Sequence, residues 1–169
     1  MPTNPSTVTR KHNDDLKKKW KEEWRASTRG KKALHADKTT PSDKFLKAIS
    51  KANLSREVAS RIVQLRLQHI PLNSYLHRFK RVDKPNCPAC GEADETITHF
   101  LLSCPSYAFE QWALARQVRK RKKHMTVETL VGDPEMVKPL ANYIDSTGRF
   151  KNTPKDLGEQ SNTQNGTSA

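Results

Sequence analysis

The chain has 169 residues, enough for one compact domain with tails and too few for two full ones. Only 34% of residues are hydrophobic and the mean hydropathy is −0.87, so the core is modest. No run of about 18 apolar residues exists to span a membrane. With 31 Lys and Arg against 18 Asp and Glu, the formal charge of +13 calls for an acidic partner, nucleic acid first. No N-terminal secretion signal is visible, so an intracellular protein is expected.

Residues 1–9 are rich in Pro, Thr, Ser and Asn and are expected to be disordered. From Arg10 to Arg29, Leu16, Trp20 and Trp24 recur every fourth residue, which predicts a helix among charged neighbours. Gly30 stops it, and a basic linker runs through Pro41; residues 10–41 thus form a basic helix and linker. Residues 42–150 form the expected folded domain. Ser42 caps a short helix carrying Phe45, Leu46 and Ile49. Ser55 caps a longer one, with Val58, Ala59, Ile62, Val63, Leu65 and Ile70 on its apolar face and Pro71 at its end. Leu72, Leu76 and Phe79 predict a third helix.

Beyond the cysteines, Pro105 opens a helix to Lys123, with Ala108, Trp112 and Ala115 on one side and Leu114 and Val118 beside them. Thr126 starts a short helix closed by Gly132. Asp133-Pro134 then caps a last one carrying Val137, Leu140, Tyr143 and Ile144, which Pro139 must kink or shorten. Residues 151–169 are nearly devoid of apolar side chains and are expected to be disordered. No segment alternates with period two, so the expected fold is mainly α: a small helical domain organised around one metal site, with disordered termini.

The metal is read from residues 85–105, where all three cysteines lie. An odd count leaves one thiol unpaired in any disulfide scheme. Cys87-x2-Cys90 sets two thiolates on one tight loop, with Gly91 supplying the backbone angles of the turn. Eight residues on, His99-x4-Cys104 places an imidazole on a short helix at 96–102 and a third thiolate just past its end. Cys87, Cys90, His99 and Cys104 make a Cys3His set, which suits one structural Zn2+ ion and leaves no coordination position for substrate. Three thiolates around Zn2+ carry a net charge of about −1. The other histidines read as surface or helix-end residues, with His77 the only credible substitute ligand.

The segment QLRLQHIPLNSYLHRFKRVDKPNCPACGEADETITHFLLSCPSY resembles the C-terminal zinc-binding segment of the reverse transcriptase and ribonuclease H polyproteins of LINE-type (non-LTR) retrotransposons, particularly fungal elements. The flanks WKEEWRASTRGKKALH, FLKAISKANLSREVASRIVQLRLQHIPLN and LVGDPEMVKPLANYIDSTGRF extend the likeness over about residues 18–150. Cys87, Cys90, His99 and Cys104 occupy the family's ligand pattern without departure. The resemblance implies a zinc finger that engages template RNA or target DNA; a nuclear setting is expected from the basic run at residues 116–123.

The catalytic parts of such polyproteins are missing, so no enzyme is expected. No Tyr-x-Asp-Asp motif occurs; Tyr143-Ile144-Asp145 is followed by Ser146. Nor do strands carry the carboxylates that ribonuclease H needs for two metal ions: Asp14-Asp15, Glu22-Glu23 and Asp94-Glu95 are adjacent pairs, which a helix points apart.

Phosphate contact is expected from the basic stripe Arg116, Arg119, Lys120, Arg121, Lys122 and Lys123, although cations at a helix C-terminus are favourable by themselves. Neutralising about five phosphates gives a log–log salt slope near −4 to −5 on duplex DNA. Two alternatives stand beside this nucleic-acid-binding module. One is a protein-interaction module docking reverse transcriptase or ribonuclease H domains of the same element through Trp20 and Trp24; the other is a decayed fragment without selected function. Neither a membrane nor a small-molecule substrate is expected as a partner.

Overall fold

The computed structural model describes residues 5–26 and 43–151. The expectations for residues 1–4, the Gly30 stop, the linker through Pro41, the Ser42 cap, His35 and the tail from 152 lie outside the described residues. Helix α1 spans Pro5–Ala26, starting five residues upstream of Arg10. It is exposed along most of its length, and Val8, Leu16 and Trp20 each keep about half of their surface in solvent.

The remaining helices are α2 (Lys44–Lys51), α3 (Arg56–Arg66), α4 (Asn73–Arg78), α5 (Ala108–Lys120), α6 (Val127–Gly132) and α7 (Val137–Thr147). No strand occurs among the described residues; β-pairing is limited to one bridge between Asn86 and Asp94. The fold is therefore mainly α, and α7 sits at its centre, packed against α5 and α3. Val137, Leu140, Tyr143 and Ile144 are all buried, as their spacing predicts. Pro139 lies in the first turn of α7, where the amide it lacks has no helical partner in any case. Gly148 ends the helix at φ +63, the left-handed position that glycine tolerates best.

Local chemistry sets the other boundaries. Ser55 Oγ accepts from the Val58 amide at 3.3 Å, Thr126 Oγ1 from the Thr129 amide at 3.1 Å, and Asp133 Oδ1 from the Glu135 amide at 2.9 Å. The α3 helix ends at Arg66, earlier than Pro71 suggests, because Gln68 adopts φ +58 and turns the chain. Ile70 and Leu72 are still buried, but from an extended segment. Some positions of the expected apolar stripes face outward instead: Phe79 is exposed, and on α5 Leu114 and Val118 supply the buried side while Ala108 and Trp112 lie in solvent.

The centre of the core is Phe100, whose ring meets those of Tyr107, Tyr143 and Phe150 at centroid distances of 5.3–5.6 Å, edge to face. The Tyr143 hydroxyl also donates to the Phe100 carbonyl. Phe100 adjoins His99, so the residues that shape the metal site also fill the hydrophobic core.

Candidate metal centre

The loop holding the first two thiols is closed by backbone hydrogen bonds. The Asn86–Asp94 bridge brackets it; the Cys87 amide donates to the Ala93 carbonyl at 2.7 Å and the Glu95 amide to the Pro85 carbonyl at 2.8 Å. Inside this frame the Gly91 amide donates to the Cys87 carbonyl at 2.8 Å, and Gly91 takes φ +73. A Cβ there would meet nothing within 4 Å, so the glycine is required for its backbone angle and not for space. The Ser106 hydroxyl, donating to the Ala89 carbonyl at 2.9 Å, ties the loop tip to the turn that follows the last thiol.

The second pair sits on a wide turn. Helical backbone begins at Ile97, where the Thr96 hydroxyl oxygen accepts from the His99 amide at 3.0 Å, and widens to a π-type turn over His99–Ser103. The Cys104 amide closes it on the His99 carbonyl at 2.8 Å, an i to i+5 bond. The x4 spacing thus becomes one π turn, and imidazole and thiol arrive on the same side.

The four ligand atoms of Cys87, Cys90, His99 and Cys104 lie within 4.8 Å of one another. Cys87 Sγ is 3.7 Å from Cys104 Sγ, and Cys90 Sγ is 3.4 Å from His99 Nε2. A tetrahedron with the usual zinc–sulfur and zinc–nitrogen bonds has edges of about 3.8 Å between sulfurs and about 3.5 Å from sulfur to nitrogen. Both separations therefore fit one zinc ion. A disulfide, with sulfurs about 2.05 Å apart, is not present.

Burial points the same way. Cys87, His99 and Cys104 are nearly inaccessible to water, and Cys90 is half-buried at the rim. Burial pushes the Cys104 thiol up to about 12, with the neighbouring Cys87 adding to the effect, whereas the backbone amides of Glu92 and Ala93 hold Cys90 below the ordinary thiol range. Three thiols so close cannot all ionise unaided; a divalent cation among them reverses that preference.

Among the described residues no other histidine joins the cluster. His77 is exposed on α4, His12 and His124 are exposed, and His69 Nδ1 lies 3.0 Å from the Tyr75 hydroxyl.

A buried ion pair that the spacing of residues does not reveal supports the site. Glu95, fully buried, accepts from the Asn73 amide at 2.7 Å and from Arg149 Nε at 2.5 Å and Nη2 at 2.7 Å. Asn73 Nδ2 in turn donates to the Asn86 carbonyl at 2.8 Å. Burial opposes the charge of Arg149, but Glu95 outweighs it and raises the guanidinium pKa; the Cys87 charge acts in the same direction. Arg149 is therefore a cation placed inside the fold, where it feels the thiolate cluster.

The basic stripe divides in the structure. Arg116, Arg119, Lys120 and Lys122 are exposed. Arg121 folds back, its Nη1 donating to the Gln117 carbonyl at 2.9 Å, and Lys123 pairs with Asp133 and Glu135.

No helix among the described residues is long and apolar enough to cross a membrane. The family model described as zinc-binding in reverse transcriptase matches residues 28–112, half of the chain and all four converging ligands. No curated protein and no solved structure matches the chain.

Proposed function

The chain belongs to the family of zinc-binding segments of reverse transcriptases, and from that premise we propose that it is a non-enzymatic module, stabilised by zinc on Cys87, Cys90, His99 and Cys104, that binds RNA or DNA. A closed four-ligand set leaves zinc no open position, so its chemistry is structural: it holds the 86–94 loop to the π turn. The observation that carries the nucleic-acid reading is the exposure of Arg116, Arg119, Lys120 and Lys122 at one end of α5, on a chain of charge +13. These cations lie beyond the family match, which ends at Trp112, so the reading rests on this chain's own charge.

Binding of labelled RNA and DNA measured against salt tests it. Four phosphates neutralised give a log–log slope of about −3.6 on duplex and about −2.8 on a single strand. Absent or salt-independent binding overturns the reading. A nuclear location follows from the same basic run, and a fluorescent fusion that loses nuclear accumulation on charge reversal at Arg119 and Lys120 is the expected result.

A second reading is favoured by the half-exposed Trp20 on α1. There the module docks reverse transcriptase or ribonuclease H domains of a retrotransposon polyprotein, with Trp20 as an anchor. Co-purification with such domains that is lost on Trp20→Ala, yet indifferent to charge reversal on α5, separates it from the first.

A further inference from the structure

The outer face of α5 carries an aromatic pair that the fold does not use. Phe109 is 74% exposed and Trp112 is 51% exposed. Their rings stack at a centroid distance of 6.1 Å and an angle of 27°, and the Arg116 guanidinium lies over the Trp112 ring, 4.9 Å from its centroid. Arg119 and Lys120 follow one turn later, both exposed. Positions 109, 112, 116, 119 and 120 share one helix face by their spacing of three and four, opposite the buried Leu114 and Val118. The one carboxylate of α5, Glu110, projects about a quarter turn away from this face.

On this face α5 therefore offers rings and cations in succession, with no carboxylate of its own among them. A polyanion that also presents flat apolar surfaces matches both features, and nucleic acid is such a polymer. In a duplex each base is covered by its neighbours above and below, so a ring on a convex helix reaches base faces only where the strand is unpaired. We propose that Phe109 and Trp112, flanked by Arg116, Arg119 and Lys120, form a stacking platform for unpaired nucleic acid, and that the module prefers single strands to duplex. This rests on the nucleic-acid reading above and adds the form of nucleic acid and the residues that select it.

The test uses the full zinc-loaded chain with a labelled oligonucleotide, RNA and DNA, single-stranded and as the matching duplex, at two salt concentrations. The single strand is expected to bind more tightly. Phe109→Ala and Trp112→Ala are each expected to weaken single-strand binding by roughly 5- to 150-fold, the range that base–aromatic stacking spans. Neither should alter duplex binding or the salt slope, because stacking releases no counterions. Trp112→Tyr, which keeps a ring, restores most of the affinity. Both positions are exposed, and unchanged helical signal and zinc content certify the variants. Duplex binding as tight as single-strand binding overturns the platform. So does an unchanged single-strand affinity in Trp112→Ala while Arg119→Glu still weakens it, an outcome that leaves the charge reading standing. Absence of salt-dependent binding to any of the probes overturns both.

Discussion

Arg149 reaches back across 54 residues to Glu95 and grips its carboxylate with two nitrogens, Nε at 2.5 Å and Nη2 at 2.7 Å, where Glu95 has no contact with solvent. The pair fastens the segment after α7 to the last residue of the hydrogen-bonded frame around Cys87 and Cys90. The end of the helical domain is thereby coupled to the metal loop.

Removing one partner strands the other. Arg149→Met leaves a buried carboxylate whose main cationic partner is gone, and a loss of about 3–5 kcal/mol in unfolding free energy is expected. The double change Glu95→Leu with Arg149→Met should recover part of that loss, since two apolar side chains replace two desolvated charges. Urea denaturation of the four proteins in the cycle measures it.

Alkaline pH acts on the aromatic centre. Burial is the first cause that raises Tyr107, to about 12 from an ordinary 10, and it raises Tyr143 further. Because the folded pKa lies above the unfolded one, the stabilisation is complete below pH 10 and is lost as pH rises toward 12. Lys123, raised by hydrogen bonds with Asp133 and Glu135, loses its contribution in the same direction. Unfolding free energy is therefore expected to fall from pH 10 to 12, and to fall less steeply in Tyr107→Phe. A slope unaffected by that change contradicts the burial argument.

The basic segment should separate into two kinds of residue. Lys123→Ala removes the ion pairs to Asp133 and Glu135 and should lower stability while leaving the salt slope of nucleic-acid binding nearly intact. Arg119→Glu and Lys120→Glu, on exposed positions, should do the reverse. Thermal melts and binding isotherms on the same samples distinguish them.

Much of the metal site is legible in the chain itself, because its ligands are close in sequence: C-x2-C needs only one tight loop, and H-x4-C only one turn. That the turn would be π-type was not, since one extra residue per turn leaves no signature in five positions. Helix caps at Ser55, Thr126 and Asp133 were readable for the same local reason. What resisted was anything set at long range. Periodicity marks the stripe containing Trp112 but not whether a neighbouring helix covers it; α7 covers Leu114 and Val118 instead. Asp94-Glu95 looked like an ordinary acidic pair, and only the distant Arg149 makes one of them a buried anchor. The early end of α3 depends on a left-handed Gln68, a conformation for which glutamine gives no warning.

Loss of the ion should reach beyond the loop. Cys87 and Cys104 belong to the same buried cluster as Phe100, Leu101 and Tyr107. Structural zinc contributes roughly 10–16 kcal/mol in small domains, against a net stability of about 5–15 kcal/mol for a whole domain. A strong chelator is therefore expected to abolish the near-UV signal of the core aromatics as well as protection of the 86–104 backbone amides in hydrogen exchange. Loss confined to the loop limits the role of zinc to local structure.

The centre itself is tested most directly by zinc-edge X-ray absorption on the purified chain, with metal content measured on the same sample. One zinc per chain is expected, surrounded by three sulfurs at about 2.3 Å and one nitrogen at about 2.0 Å, with the sulfur count falling to two in Cys90→Ser. A chain without zinc, or a shell containing oxygen in place of these ligands, contradicts the assignment of Cys87, Cys90, His99 and Cys104 as a closed structural site.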